Sequence, residues 1–243
     1  MGIQERIIED VGLRGGVDNL TVDKIEATFK SLMAGETGAR MKAYTETCMR
    51  CGLCATACHY AVSHPDDPSY TPAGKVKETM GLLLAKGGRV DPQTIYGIAQ
   101  IAYTECNMCR RCVHYCPLGI DTAYIISIMR RFCHKLGVTP QYIQDTAHSH
   151  SATYNQMWVK EDEWTDTLQW QEDEARDEFP TLRIPLDKEG ADIYYSVIAP
   201  EPKFRTQLIY QAGRHYGGRG NGLDHARPLR LGQLGHVHVH RRL

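Results

Sequence analysis

Cys48-Met-Arg-Cys51-Gly-Leu-Cys54-Ala-Thr-Ala-Cys58 and Cys106-Asn-Met-Cys109-Arg-Arg-Cys112-Val-His-Tyr-Cys116-Pro117 decide how this chain folds and what it holds. Each stretch spaces four cysteines as C-x2-C-x2-C-x3-C, and the two together use eight of the nine cysteines. This is the ligand run of a [4Fe–4S] cluster, written twice. Three thiolates two residues apart wrap one cube, while the amides between them point inward and offset its negative charge. The fourth cysteine of each run opens the next helix and, in two-cluster ferredoxins, reaches across to the other cluster. That rule assigns one cluster to Cys48, Cys51, Cys54 and Cys116, and the other to Cys106, Cys109, Cys112 and Cys58. Which fourth cysteine serves which cluster depends on the fold. Two zinc sites are the competing reading, and the repeated spacing disfavours it.

Working outward, the 47 residues between the runs, 59–105, carry helix signals rather than strands. Thr71-Pro72 is an N-cap and first-turn pair, and the stretch it opens stops at Gly87-Gly88. Asp91-Pro92 opens another helix, with Ile95, Ile98, Ala99 and Ala102 on one face. After Pro117, Asp121 can cap a helix whose stripe is Ile125, Ile128, Met129, Phe132, Cys133 and Leu136, ended by Gly137. Thr139-Pro140 starts one more. Upstream, residues 1–46 read as helical, with Thr21 a cap for a helix bearing Ile25, Phe29 and Leu32. The fold expected is mainly α: an all-helical two-[4Fe–4S] ferredoxin domain over 47–157.

The composition then changes. Lys160–Gly190 holds eleven acidic and four basic residues around Trp164 and Trp170, and 158–190 reads as an extended or partly helical acidic connector. Trp158, Trp164 and Trp170 are expected to anchor it against a neighbouring surface. Residues 191–212 read as a strand, Ala191–Ala199, and a helix from Pro202: an α/β start without room to close. Residues 213–243 contain six arginines, five histidines, seven glycines and one acid, with no helical or strand period. The tail is either a disordered basic segment or, as we read it, the product of a frameshift. With permitted codons, a one-nucleotide shift over Leu223–His240 gives the ordinary-looking string WTMPAPSGWDNSDMCMY.

The 243 residues are 42% hydrophobic with a net charge of −1, which makes no global case for nucleic acid or lipid as a partner. No apolar run is long enough to span a bilayer, and no secretory signal is visible. Clustered cysteines read as metal ligands in a reducing compartment. Cys133, on an apolar stripe, is a buried hydrophobe. His59 follows Cys58 where a proline often stands; a helix can start there without one, or the ring can donate to a cluster thiolate. Arg110 and Arg111 read as solvated, and His148 and His150 as surface or helix-end histidines. No G-x-G-x-x-G after a strand, Walker loop or acid/base constellation is present, so no catalytic residue is assigned.

The paired runs in a helical context resemble the ferredoxin part of heterodisulfide reductase C/D-type subunits. Thr104-Glu-Cys-Asn-Met-Cys-Arg-Arg-Cys, Leu136-Gly-Val-Thr-Pro-Gln-Tyr-Ile-Gln-Asp-Thr-Ala-His-Ser-His-Ser and Tyr195-Ser-Val-Ile-Ala-Pro-Glu-Pro-Lys-Phe are similar to cytoplasmic iron–sulfur subunits of transmembrane redox complexes in sulfate-reducing bacteria. The resemblance covers about residues 1–212. It implies an electron-transfer subunit of an anaerobic respiratory complex. Its partners would be other redox subunits, above all a membrane quinone- or cytochrome-linked one. In that family a further C-terminal part carries cysteine-rich CCG motifs and a catalytic-type cluster; no cysteine follows Cys133 here. The resemblance therefore implies the wire half of such a subunit, truncated at 191–212. A scaffold subunit with structural clusters is the alternative.

Overall fold

The computed structural model describes residues 9–184, 186, 193–216 and 229–233. The chain divides into two compact units, Met1–Gln144 and Asp145–Leu243.

The first unit is helical throughout its described residues. It opens with α1 (Val11–Asp18), α2 (Val22–Met33) and α3 (Glu36–Thr47), then two short helices at the first ligand run, α4 (Leu53–Thr56) and α5 (His59–Ser63). A 3-10 turn, Pro68–Tyr70, leads into α6 (Pro72–Val76), a π-helical turn over Lys77–Gly81 and α7 (Leu82–Ala85). Next come α8 (Pro92–Thr104), α9 (Arg111–His114) at the second ligand run and α10 (Thr122–Leu136), and α11 (Gln141–Thr153) runs on into the second unit.

Local chemistry starts these helices where the sequence places them. Side chains of Thr21, Thr71, Asp91 and Asp121 each accept a backbone N–H from the first turn that follows, which satisfies donors a helix start would leave unpaired. Pro72 and Pro92 follow two of these caps. Gly137 ends α10 at φ 83°, donating its N–H to the last-turn carbonyls. α2 ends with Ala34 as its C-cap, and Gly35, the next residue, is the N-cap of α3.

Helix α10 is the axis of the unit. α8, α2 and α6 pack around it, and Ile125, Ile126, Ile128, Met129, Phe132, Cys133 and Leu136 are all buried. Phe29 of α2 meets Phe132 edge-on, ring centroids 6.1 Å apart. At about 1.5–3 kcal/mol for each large apolar side chain buried, this core fixes where the ends of α3, α8 and α10 stand. The ligand runs hang from those ends.

In the second unit, the acidic stretch forms the 16-residue helix α12 (Glu161–Arg176). Trp164, Leu168, Gln171 and Ala175 are its buried face. β1 (Ile193–Val197), α13 (Pro200–Phe204) and α14 (Thr206–Tyr216) follow, and α12 packs on α14. Val159, Trp164, Leu168, Ile184, Val197, Ala199 and Ile209 form one apolar cluster. Of the tryptophans, Trp164 is the buried anchor, whereas Trp158 and Trp170 are about half exposed. β2 (Leu229–Gln233), in a stretch with no alternating pattern, pairs parallel with β1, Ile193 opposite Leu229. Apart from β2, the basic tail beyond Tyr216, and with it the rest of the frameshift reading over Leu223–His240, lies outside the described residues.

Candidate iron–sulfur site

The two ligand runs fold alike. Cys48 stands at the end of α3 and Cys106 two residues beyond α8, so each run leaves a long helix. Each then takes left-handed backbone at the same two steps: Arg50 (φ 54°) and Gly52 (φ 82°) in the first, Met108 (φ 57°) and Arg110 (φ 62°) in the second. Three of these four are not glycine, and such residues persist at positive φ only where the surroundings impose it. The third cysteine of each run, Cys54 or Cys112, enters a one-turn helix, α4 or α9, and these two helices lie against each other.

The cysteines gather in crossed sets. One cavity is lined by Cys48, Cys51, Cys54 and Cys116, together with Met49, Pro117, Leu118 and Ile120. A second is lined by Cys58, Cys106, Cys109 and Cys112, with Tyr60, Lys75 and Thr122. All eight are free thiols, and Cys51 and Cys109 are exposed. Among the described residues no three His, Cys, Asp or Glu side chains draw together as a mononuclear metal site. Four thiols spread around a cavity suit the wider grip of an iron–sulfur cube. Backbone and hydroxyl donors also point at these sulfurs. The Ile120 N–H lies 3.4 Å from Cys116 Sγ and the Met108 N–H 3.4 Å from Cys106 Sγ. The Ala73 N–H reaches Cys54, and the Thr122 hydroxyl reaches Cys112.

Burial pushes the thiols of Cys54 and Cys106 up from their ordinary values, and that of Cys112 to about 11. Cys54 in α4 and Cys112 in α9 stand on helices that lie against each other, so the two cavities are neighbours. Bare thiols in such a setting keep their protons at neutral pH, and only exchange for metal makes them thiolates. Cys133, wholly buried in the α10 stripe, is pushed up to about 12 by desolvation and lines neither cavity.

Four neighbours of the cysteines bear on the sequence reading, and α5 does start at His59 without a proline. Arg110 is not merely solvated: it pairs with Asp121 at 2.7 Å, tying the second ligand loop to the cap of α10. His59 lies beside the second cavity, but its exposed ring packs on Tyr60, centroids 4.4 Å apart. The side-chain nitrogen that reaches Cys58 belongs instead to Lys75, only 2% exposed. Arg130 was also missed. It donates from Nε to the Ala102 carbonyl at 2.8 Å and from Nη2 to the Cys106 carbonyl at 2.5 Å, clamping the start of the second run onto α10. A lysine among the inward positions Pro72, Val76, Thr79, Met80 and Leu83 was the available signal for Lys75. His148 packs edge-on against Trp158 at 5.1 Å.

Comparison with known proteins agrees with this geometry. A family model described as a 4Fe-4S dicluster domain matches residues 44–120. Over 186 residues, 70% of this chain, the sequence is 27% identical to the Hdr-like menaquinol oxidoreductase iron-sulfur subunit 2 of Archaeoglobus fulgidus, covering 32% of that protein. Over 190 residues, 73% of the chain, it is 25% identical to the Hdr-like menaquinol oxidoreductase iron-sulfur subunit of Archaeoglobus profundus, covering 33% of it. The chain thus spans about a third of the length of the curated relatives it matches. No solved structure matches it. The resemblance to heterodisulfide reductase-like iron–sulfur subunits is borne out, and the family model and the relatives' names support iron–sulfur electron transfer.

Proposed function

We propose that this chain is the electron-carrying part of a membrane-linked, heterodisulfide reductase-like anaerobic respiratory complex. In this reading Cys48, Cys51, Cys54 and Cys116 hold one [4Fe–4S] cluster, and Cys58, Cys106, Cys109 and Cys112 hold a second. The reading rests on one observation above all: two neighbouring cavities, each lined by four free cysteines, three from one run and the fourth from the other. Bound there, such clusters supply one-electron redox chemistry without bond making.

The protein's own residues do the rest. The thiolates grip, and the amides of Met108 and Ile120 and the hydroxyl of Thr122 donate to sulfur. Ile120, Ala57 and Ala123 exclude water from the inner walls. Exposed Cys51 and Cys109 mark where each site comes nearest to solvent, and so to a redox partner. Among the described residues no helix is long and apolar enough to cross a membrane. The membrane link is therefore proposed to run through a quinone- or cytochrome-bearing partner subunit, with this chain on the cytoplasmic side.

Anaerobically purified protein tests this. The reading expects about eight irons and eight sulfides per chain. It also expects EPR signals that appear on reduction, vanish on reoxidation, and are drawn down or filled through a quinol-linked membrane fraction. A colourless, zinc-loaded protein would contradict the cluster assignment. Clusters that never change redox state would favour a structural scaffold instead.

A further inference from the structure

The two cavities are built alike in backbone and in cysteines, but not in charge. The cavity of Cys48, Cys51, Cys54 and Cys116 has one cationic residue in its lining, Arg50, whose side chain is exposed. The cavity of Cys58, Cys106, Cys109 and Cys112 has Lys75 in its wall, one of the largest wholly buried side chains in the molecule. Lys75 Nζ lies 3.8 Å from Cys58 Sγ and 4.4 Å from the centre of the Tyr60 ring. It also donates to the main-chain carbonyl of Glu105, next to the ligand Cys106. These contacts hold the ammonium in place without spending its charge, since a carbonyl and a ring face neutralise nothing. Arg110 and Arg111 also line this cavity, with exposed side chains, and Arg130, on the Cys106 carbonyl, adds a further cation to the same side; Lys75 is the buried one in the lining.

The fold goes to some length to put this charge there. Thr71 caps α6 through the Gly74 N–H, and the helix lies hard against the 3-10 turn. A Cβ at Gly74 would overlap the Pro68 carbonyl oxygen and stand 2.9 Å from Ser69 O. One residue later, Lys75 points inward along a face otherwise made of Val76, Thr79, Met80 and Leu83. Burying an ammonium is costly unless something compensates it. Negative charge at the cysteine site, 3.8 Å away at Cys58, is one compensation, and that charge grows by one unit on reduction.

We propose that Lys75 is a positioning residue that sets redox potential: acting through Cys58, it makes the Cys58/Cys106/Cys109/Cys112 site the preferred resting place of an electron shared by the two sites. The step is a simple exchange. One electron leaves the Cys48/Cys51/Cys54/Cys116 site and one arrives at the other, with no proton moved and no bond broken. The first site is refilled by a reductant of lower potential. A fixed positive charge beside a sulfur ligand favours the more negative, reduced form. The inference rests on the two-cluster reading above and adds a direction to it: electrons run toward the lysine.

The test is an anaerobic redox titration of the full chain followed by EPR, on wild type, Lys75→Met, Lys75→Gln and Lys75→Arg, with iron counted in each. Lys75→Gln keeps a donor for the Glu105 carbonyl and removes only the charge. The neutral variants are expected to keep their iron while the higher of the two potentials falls by a tenfold change in electron partition or more, 59 mV for a one-electron couple. Lys75→Arg should recover most of the shift. The signal that moves should survive in Cys51→Ala, which empties the other cavity. Unchanged potentials, equal shifts in both signals, or iron lost from both neutral variants but not from Lys75→Arg would each overturn the proposal. Wild-type protein lacking two reducible clusters would instead sink the reading on which it rests.

Discussion

Asp121 is the residue at which the helical frame and the ligand loop are joined, and replacing it shows how much of each depends on the other. Its Oδ1 accepts the Tyr124 N–H at 2.9 Å, capping α10, and its Oδ2 takes Arg110 at 2.7 Å. Losing an Asp cap costs about 1 kcal/mol. The ion pair adds only about 0.5 kcal/mol, because the Arg110 side chain is 64% exposed and water screens it. Asp121→Ala should therefore destabilise the first unit by about 1.5 kcal/mol. For a unit of this size that lowers the melting midpoint by roughly 6 °C. Asparagine caps as well as aspartate, so Asp121→Asn loses only the pair and should fall by roughly 2 °C. Far-UV circular dichroism of anaerobic, cluster-loaded protein measures both. The reasoning fails if Asn is as damaging as Ala, or if Ala lowers the midpoint by less than about 1 °C.

Further perturbations probe other joints. Gly74→Ala places a methyl group against the Pro68 carbonyl and should cost about 1–3 kcal/mol. It should also disturb EPR of the cluster beside Lys75 more than that of the other, which spectra of the variant and the wild type would reveal. Cys133→Ala leaves a small void in the α10 stripe and should lower stability by about 1 kcal/mol, with iron content unchanged. Lost iron would make Cys133 a ligand after all. Reconstitution of apoprotein with ferrous iron and sulfide should release protons, because Cys54, Cys106 and Cys112 are held up as thiols, Cys112 at about 11. The protein gives up these protons only on binding, so uptake should be more complete at pH 8.5 than at pH 6.5. The same yield at both pH values, measured by absorbance near 400 nm, would contradict that sign.

What could be read from the sequence was local. Thr71-Pro72, Asp91-Pro92 and Asp121 announce helix starts because the hydrogen bond that makes each start lies within three residues. Gly137 announces a stop for the same reason. The cysteine runs announce a cluster because their spacing is itself the site. What escaped depends on distant neighbours. Nothing in Arg50, Met108 or Arg110 signals left-handed backbone; the closure of each ligand loop imposes it. The acidic charge of Glu161–Arg176 hides the stripe of Trp164, Leu168, Gln171 and Ala175, which only a packed α14 turns into a core face. Lys75 and Arg130 look like surface cations until α6 and α10 are seen turning them onto Cys58 and the start of the second ligand run.

The crossed grip of the cysteines is tested most directly by counting iron in paired substitutions. Cys58→Ala with Cys109→Ala strikes one cavity twice, and Cys58→Ala with Cys51→Ala strikes both cavities once. Crossed ligation predicts that the first pair retains about four irons per chain, as either single variant does, and that the second retains almost none. The opposite pattern, iron lost in the first pair and kept in the second, would place Cys58 with its own run and contradict the account.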